Sequence, residues 1–178
     1  MKKIKNSELN RKSISEFKRS KKLPIIIILE NIRSAHNVGA VFRNSDAFII
    51  EKIILCGITP VPPNRQINKT ALGATDSIQW EYHKESNYII KQLKQKGYSI
   101  ISIEQVKNST HLNELKIKKY KKIALIFGNE INGIEQKTIN ISDEIVEIPQ
   151  YGTKHSLNIS VCSGIILWEL FKKLKNNY

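Results

Sequence analysis

Hydrophobic residues run almost unbroken through Pro24–Glu30, most of them isoleucine. A strand covered on both faces reads this way, because neither face can be polar. Lys52–Gly57 repeats the pattern, and Ser77–Tyr82 is a shorter strand. Tyr98–Ile103, Ile123–Phe127 and Glu144–Ile148 complete the set, the last ended by Pro149. The segments between have helical spacing. Val38–Phe48 sets Val38, Val41, Phe42 and Phe48 near helical intervals, with Asn37 as candidate N-cap. Ser86–Lys96 is a helix stopped by Gly97, and Ile134–Ile141 holds a short one. Ser156–Lys175 is a long C-terminal helix capped by Ser156, with Leu157, Val161, Ile165, Trp168 and Leu174 marking its apolar face. Its last turn carries Lys172, Lys173 and Lys175, which suits the negative end of the helix dipole. Ile58–Ala74, with Pro60, Pro62, Pro63 and Gly73, reads as a long loop of the functional kind. Strands alternating with helices predict an α/β fold, a mainly parallel sheet with helices on both faces.

A chain of 178 residues fits one folded domain. The natural division is residues 1–22 as a basic arm or short helix and 23–178 as the domain. The arm carries nine Lys and Arg against Glu8 and Glu16. Contact with an RNA backbone and a merely solvated extension both fit it. The net charge of +13 points to a polyanionic partner, nucleic acid before an anionic membrane surface. Drift toward Lys, Ile and Asn would also raise the charge. The longest apolar run, Leu23–Leu29, is too short to cross a bilayer, and the N-terminus has no hydrophobic signal core. A cytoplasmic protein without a membrane partner is expected. Cys56 and Cys162 sit in apolar runs as buried thiols, and the lack of a CxxC pair argues against zinc.

Parallel sheets bind ligands beyond the carboxyl ends of their strands, and three polar loops fall there. The first, Asn31–Asn37, leads into N-V-G-A-V-F-R-N, where Arg43 offers a forked set of donors to phosphate or carboxylate. An ordinary capped helix with a surface arginine would look the same. The second, G-N-E-I-N-G-I, follows a buried strand. Gly128 and Gly133 permit close approach or positive φ, and Glu130 adds an anionic acceptor. It is neither G-x-G-x-x-G nor a P-loop, and many such glycines are plain turns. The third is I-P-Q-Y-G-T-K-H-S-L-N-I-S. Asn158 can reach back into a site there. His155 has no evident Ser or Asp partner, so a substrate-contacting or structural role suits it better than acid–base work. His36, His83 and His111 are scattered.

Taken together, N-I-R-S-A-H-N-V-G-A-V-F-R-N-S-D-A-F, I-F-G-N-E-I-N-G-I and I-P-Q-Y-G-T-K-H-S-L-N-I-S-V-C-S-G resemble, in order and spacing, the three motifs of the SPOUT superfamily. The branch is that of the SpoU/TrmH RNA 2′-O-ribose methyltransferases, and the likeness runs from about Pro24 to the C-terminus. G-Y-S-I-I-S-I-E-Q is similar to tRNA-type members. The resemblance implies a C-terminal deep trefoil knot, a rare exception to ordinary chain connections. It implies S-adenosyl-L-methionine held bent in the knot, and a homodimer with the site near its interface. It makes Arg43, Asn37, Glu130, Ser156 and Asn158 the catalytic set. Gly128, Asn129, Glu130, Gly133, Ile148, Gln150, Ser156 and Leu157 become the cofactor's lining, with no metal required. Gln150-Tyr151 departs from the family, where many relatives have Met and a small residue, and Asn129 is variable there. The implied activity is 2′-O-ribose methylation of RNA, with tRNA as first choice and rRNA as alternative. The loop Pro62–Ala74, with Arg65, Lys69 and Thr70, is a candidate for helping to hold RNA. In the family the arginine is proposed as general base. A guanidinium that stays protonated would instead orient phosphate and stabilise developing oxyanion charge. A non-catalytic RNA-binding homologue and a nicotinamide dehydrogenase, which lacks its glycine fingerprint here, are the rival readings.

Overall fold

The isoleucine run becomes β1 (Leu23–Glu30), a central strand hydrogen-bonded on both sides. The computed structural model describes residues 1–117 and 120–174. The remaining strands are β2 (Ile50–Cys56), β3 (Gln79–His83), β4 (Ser99–Ile103), β5 (Thr110–His111), β6 (Ile123–Phe127) and β7 (Glu144–Glu147). They form one seven-stranded sheet in the order β3-β2-β1-β6-β4-β7-β5. Every pairing is parallel. The helices are α1 (Ile14–Arg19), α2 (Ala35–Ala47), α3 (Arg65–Ala71), α4 (Ala74–Ser77), α5 (Ser86–Gln95), α6 (Gln136–Asn140) and α7 (Ile159–Leu174).

Side chains alternate across the pleat, so β1 feeds two cores. Ile25, Ile27 and Leu29 join one core with Phe17 of α1, Val38 and Phe42 of α2, Ile67 of α3 and Leu167 of α7. Ile26 and Ile28 join the other with Ile89, Ile90 and Leu93 of α5. Helices therefore cover both faces, as the solid apolar run requires. Each fully buried isoleucine contributes about 1.5–3 kcal/mol.

Several local expectations are corrected. Residues 58–74 are not one long loop. Asn64 is extended, and its side chain accepts from the N–H groups of Gln66 at 2.8 Å and Ile67 at 3.2 Å, starting α3 just beyond the prolines. Ile67, Ala71 and Ala74 then bury one face. Helix α3 packs so closely on α2 that a Cβ at Gly39 would lie 2.3 Å from the Ile67 carbonyl oxygen. Asn37 does not cap α2. The Ser34 hydroxyl does, accepting from the Asn37 N–H at 3.3 Å. Ser156 likewise stays in the loop before α7. Asn158 caps that helix, its side chain accepting from Ser160 N at 2.8 Å and its carbonyl from Cys162 N at 2.9 Å. The buried face of α7 is Ile159, Ser163, Ile166, Leu167, Leu170 and Leu174, while Leu157, Val161, Ile165 and Trp168 are exposed. Lys175, expected in its last turn, lies outside the described residues. Cys162 is half-buried rather than buried. Burial, reinforced by Glu30 and Glu81, pushes the Cys56 thiol up to about 12.

Glu30, at the end of β1, is a buried carboxylate. It accepts from the Ser86 hydroxyl at the start of α5, from Thr138 Oγ1 of α6 at 2.6 Å and from Glu135 N at 3.0 Å. One side chain thus ties a strand end to two helices. Glu30→Ala orphans the Ser86 hydroxyl and Glu135 N, leaves Thr138 Oγ1 only Asn87 Oδ1 at 3.3 Å, and is expected to lower the unfolding free energy by about 2–4 kcal/mol. Urea denaturation checks this, and an unchanged midpoint would show that the donors find other partners.

Candidate active site

Chain order reverses about β1: β2 and β3 extend the sheet one way, while β4 to β7 lie on the other. Beyond the carboxyl ends of β6, β4 and β7 opens a cavity of about 390 Å³. That size suits a small molecule. Phe127, Gly128, Asn129, Glu130 and Gly133 form one wall, and Ile148, Gln150, Ser156, Leu157 and Asn158 another. Ile103, Glu104 and Gln105 at the end of β4 make the floor between them.

The first wall is a tight turn. Asn129 and Gly133 exchange backbone hydrogen bonds at 3.0 and 2.9 Å. The Asn129 side chain accepts from Ile131 N and Asn132 N, and donates to the Asn31 carbonyl at 2.7 Å. A Cβ on Gly128 would lie 2.4 Å from the Gly133 carbonyl carbon, so the turn closes only around glycine. Gly133 has φ of +66°, and its ideal Cβ would meet the Glu104 carboxylate.

Glu130 joins this turn to the start of α2. Its carboxylate accepts from Arg33 N at 2.9 Å, Ser34 N at 3.0 Å and Asn37 Nδ2 at 2.9 Å. The Asn37 amide oxygen in turn accepts from Asn158 Nδ2 at 3.2 Å. Asn37 can do this because Ser34 has taken over the cap. The three loops are thereby linked as Glu130–Asn37–Asn158, although Asn37 stands behind the cavity rather than lining it. Burial alone would raise the Glu130 pKa. The donors from Arg33 and Asn37, its own backbone and Ser34 outweigh this and hold it below the ordinary value.

A depressed folded-state pKa contributes stability above the ordinary carboxylate value and loses it as pH falls through the lower folded value. Glu130→Gln should therefore narrow its stability deficit against the wild type as pH drops from about 6 to 3, followed by urea unfolding at each pH. A deficit constant across that range would contradict an ionised Glu130.

Arg43 does not line the cavity. It is exposed on the outer side of α2. The next residue, Asn44, donates to Ser160 O at 2.9 Å and Ser163 Oγ at 3.0 Å of α7. Helix α2 thus packs on α7, whose Val161, Ile165 and Trp168 are exposed. Arg65 and Lys69 are exposed on α3, and Thr70 donates to the His36 carbonyl at 2.9 Å. His155 lines the cavity, and its carbonyl accepts from Gln105 Nε2 at 2.8 Å. Glu104 and Gln105 were not singled out as site residues. They close the stretch likened above to tRNA-type members, and they follow a parallel strand directly, where ligands bind.

A parallel sheet with a glycine-turn pocket beyond its carboxyl ends, linked through Asn37 to the loop before α7, defines a methyltransferase of the SpoU class. The sequence match agrees: residues 24–168 fit the model of the SpoU rRNA Methylase family, and the chain belongs to that family. It is 28% identical over 166 residues to a 23S rRNA (guanosine-2′-O-)-methyltransferase RlmB of Vibrio parahaemolyticus, covering 93% of this chain and 66% of the relative. It is 30% identical over 159 residues to a tRNA (guanosine(18)-2′-O)-methyltransferase of Borreliella burgdorferi, covering 86% of this chain and 68% of the relative. The chain thus spans about two thirds of these relatives. The crystal structure of the A. aeolicus TrmH/SpoU tRNA modifying enzyme superposes with a TM-score of 0.82 at 24% identity, covering 92% of this chain and 82% of that one.

Proposed function

We propose that this chain transfers the methyl group of S-adenosyl-L-methionine to a ribose 2′-hydroxyl of RNA, tRNA first and rRNA as the alternative. The observation that carries this reading is the Glu130–Asn37–Asn158 chain of hydrogen bonds, which ties three separated loops around one cavity. The cavity suits the cofactor: its glycine turn lets backbone come close, and its apolar lining includes Ile103, Phe127, Ile148 and Leu157. Gly128, Asn129, Gly133, Ile148, Gln150 and Leu157 would hold the nucleoside cofactor, with Ser156 and Glu130 at its reactive side. When bound, S-adenosylmethionine would supply an electrophilic sulfonium methyl for the ribose 2′-oxygen, whose proton would pass to solvent. The protein's own work is to align the reactants and favour charge on the attacking oxygen. Asn37 and Asn158 fix the walls. Arg43 offers a fork to RNA phosphate.

We read the active form as a homodimer. No helix among the described residues is long and apolar enough to cross a membrane. Val161, Ile165 and Trp168 nevertheless form an exposed apolar stripe on α7, with Trp168 53% exposed. A second copy of the chain on this stripe would cover it and bring Arg43 to the interface. The straddling of β4 by β6 and β7 supports a deep trefoil knot in the C-terminal part. Residues 1–22 would serve as an RNA-contacting arm anchored by Phe17, and 23–178 as the catalytic domain in the cytoplasm. Mapping 2′-O-methyl marks in RNA from cells with and without the gene tests the reading. The loss of one or a few marks, in tRNA before rRNA, is expected, and an unchanged map contradicts it.

A further inference from the structure

The cavity carries the opposite sign of charge from the rest of the molecule. The chain has a net charge of +13, which suits a polyanionic RNA. Yet the ionisable side chains lining the cavity are Glu104, Glu130, Glu147, His155 and the Cys162 thiol, and among the described residues no lysine or arginine lines it. Glu147 is partly offset by His111, whose Nε2 lies 3.1 Å from its carboxylate. Glu130 is engaged by the donors described above. Glu104 is different. One carboxylate oxygen accepts from Gln105 N at 2.8 Å and the other from Ile134 N at 2.9 Å. Both oxygens thus act as acceptors, each from a backbone N–H. Among the described residues no cation is paired with it within the cavity. Its field also reaches the opposite wall: after burial, Glu104 is the second cause that pushes the Cys162 thiol up to about 12.

We infer that the cavity is a charge filter, with Glu104 as a specificity-determining residue that favours the sulfonium cofactor over its neutral thioether product. This rests on the methyl-transfer reading above. S-adenosylmethionine and S-adenosylhomocysteine share the adenosine and the amino-acid end. They differ by one methyl group and one positive charge on sulfur. A pocket that gripped the shared parts alone would bind both almost equally and be held by its own product. A carboxylate with no cationic partner among the cavity's described residues, partly shielded from water, distinguishes them by charge. Loss of the sulfonium charge on methyl transfer weakens the grip on what remains, so product release is coupled to the reaction. The same field turns away adenine nucleotides, whose phosphates the outer surface would otherwise attract.

Calorimetric titration of the full chain with S-adenosylmethionine, S-adenosylhomocysteine and sinefungin, an analogue with an ammonium-bearing carbon in place of the sulfonium, tests this without turnover. The wild type should bind the methyl donor about 10-fold more tightly than the thioether product. Glu104→Gln should weaken the methyl donor and sinefungin about 5-fold and leave the product within about 2-fold. Equal weakening of all three would make Glu104 a scaffold residue and overturn the proposal. If the variant does not fold, the wild type decides alone. Its preference for the charged ligands should shrink as salt rises from about 0.05 to 1 M, and a salt-independent ratio would overturn the proposal. Failure of the wild type to bind any of the three would instead remove the methyl-transfer reading itself, and the charge filter with it.

Discussion

Replacing Arg43 with lysine is expected to cut methyl transfer about 100-fold at saturating RNA, and replacing it with alanine about 1000-fold, each with little change in cofactor affinity. The split follows from position. Arg43 lies outside the cavity, on the exposed side of α2, so no cofactor contact is lost with it. A guanidinium is a donor-only group, which suits phosphate orientation and oxyanion stabilisation better than proton abstraction. Lysine keeps the charge but loses the planar fork. Single-turnover rates and calorimetric cofactor affinities, measured on the same preparations, separate the two effects. Near-normal turnover of the lysine variant with saturating RNA would remove Arg43 from the reaction. A large loss of cofactor affinity would mean that it shapes the pocket instead.

The second large effect is expected at Asn37. Its amide donates to Glu130 at 2.9 Å and accepts from Asn158 at 3.2 Å, so it joins all three loops. Asn37→Ala removes both bonds and should lower turnover about 100-fold, with cofactor affinity down about 10-fold because two walls lose their common tie. Asn37→Asp is the sharper variant. It keeps the shape but sets a carboxylate against the Glu130 carboxylate, where the wild type has a donor. It should be less active than alanine at neutral pH and recover part of the difference on mild acidification, as one carboxyl of the pair takes a proton. Equal activity of the aspartate variant and the wild type would show that the linkage does not position the reactants.

Much of this arrangement was legible along the chain, for identifiable reasons. Pro24–Glu30 could be read as a doubly covered strand because nothing polar interrupts it. The Gly128–Gly133 turn could be read because close approach demands glycine at defined places. The helix at 65–71 was hidden by three prolines that end at Pro63, one residue before the Asn64 cap. The inward face of α7 was misread because the helix carries apolar residues almost all round, and periodicity then cannot choose a side. Val161, Ile165 and Trp168 are as hydrophobic as the core positions, but α2 and the sheet take the opposite face. Asn37 and Asn158 exchanged expected duties with Ser34 and Ser156 because Ser and Asn cap helices about equally well. A one-turn shift of helix start decides which side chain stays free, and tertiary contacts set that shift. Glu104 and Gln105 close the stretch similar to tRNA-type members, but that likeness assigns them no role. Their place became visible once β4 was seen lying between β6 and β7.

The most direct test supplies purified protein, S-adenosylmethionine labelled in its methyl group, and a pool of unmodified tRNA and rRNA. Labelled RNA is then digested in alkali, which needs a free 2′-hydroxyl to cut the chain. Label is expected in alkali-resistant dinucleotides, converted by nuclease and phosphatase into 2′-O-methylnucleosides. Label released as alkali-sensitive mononucleotides carrying a methylated base, or no incorporation at all, would contradict the account.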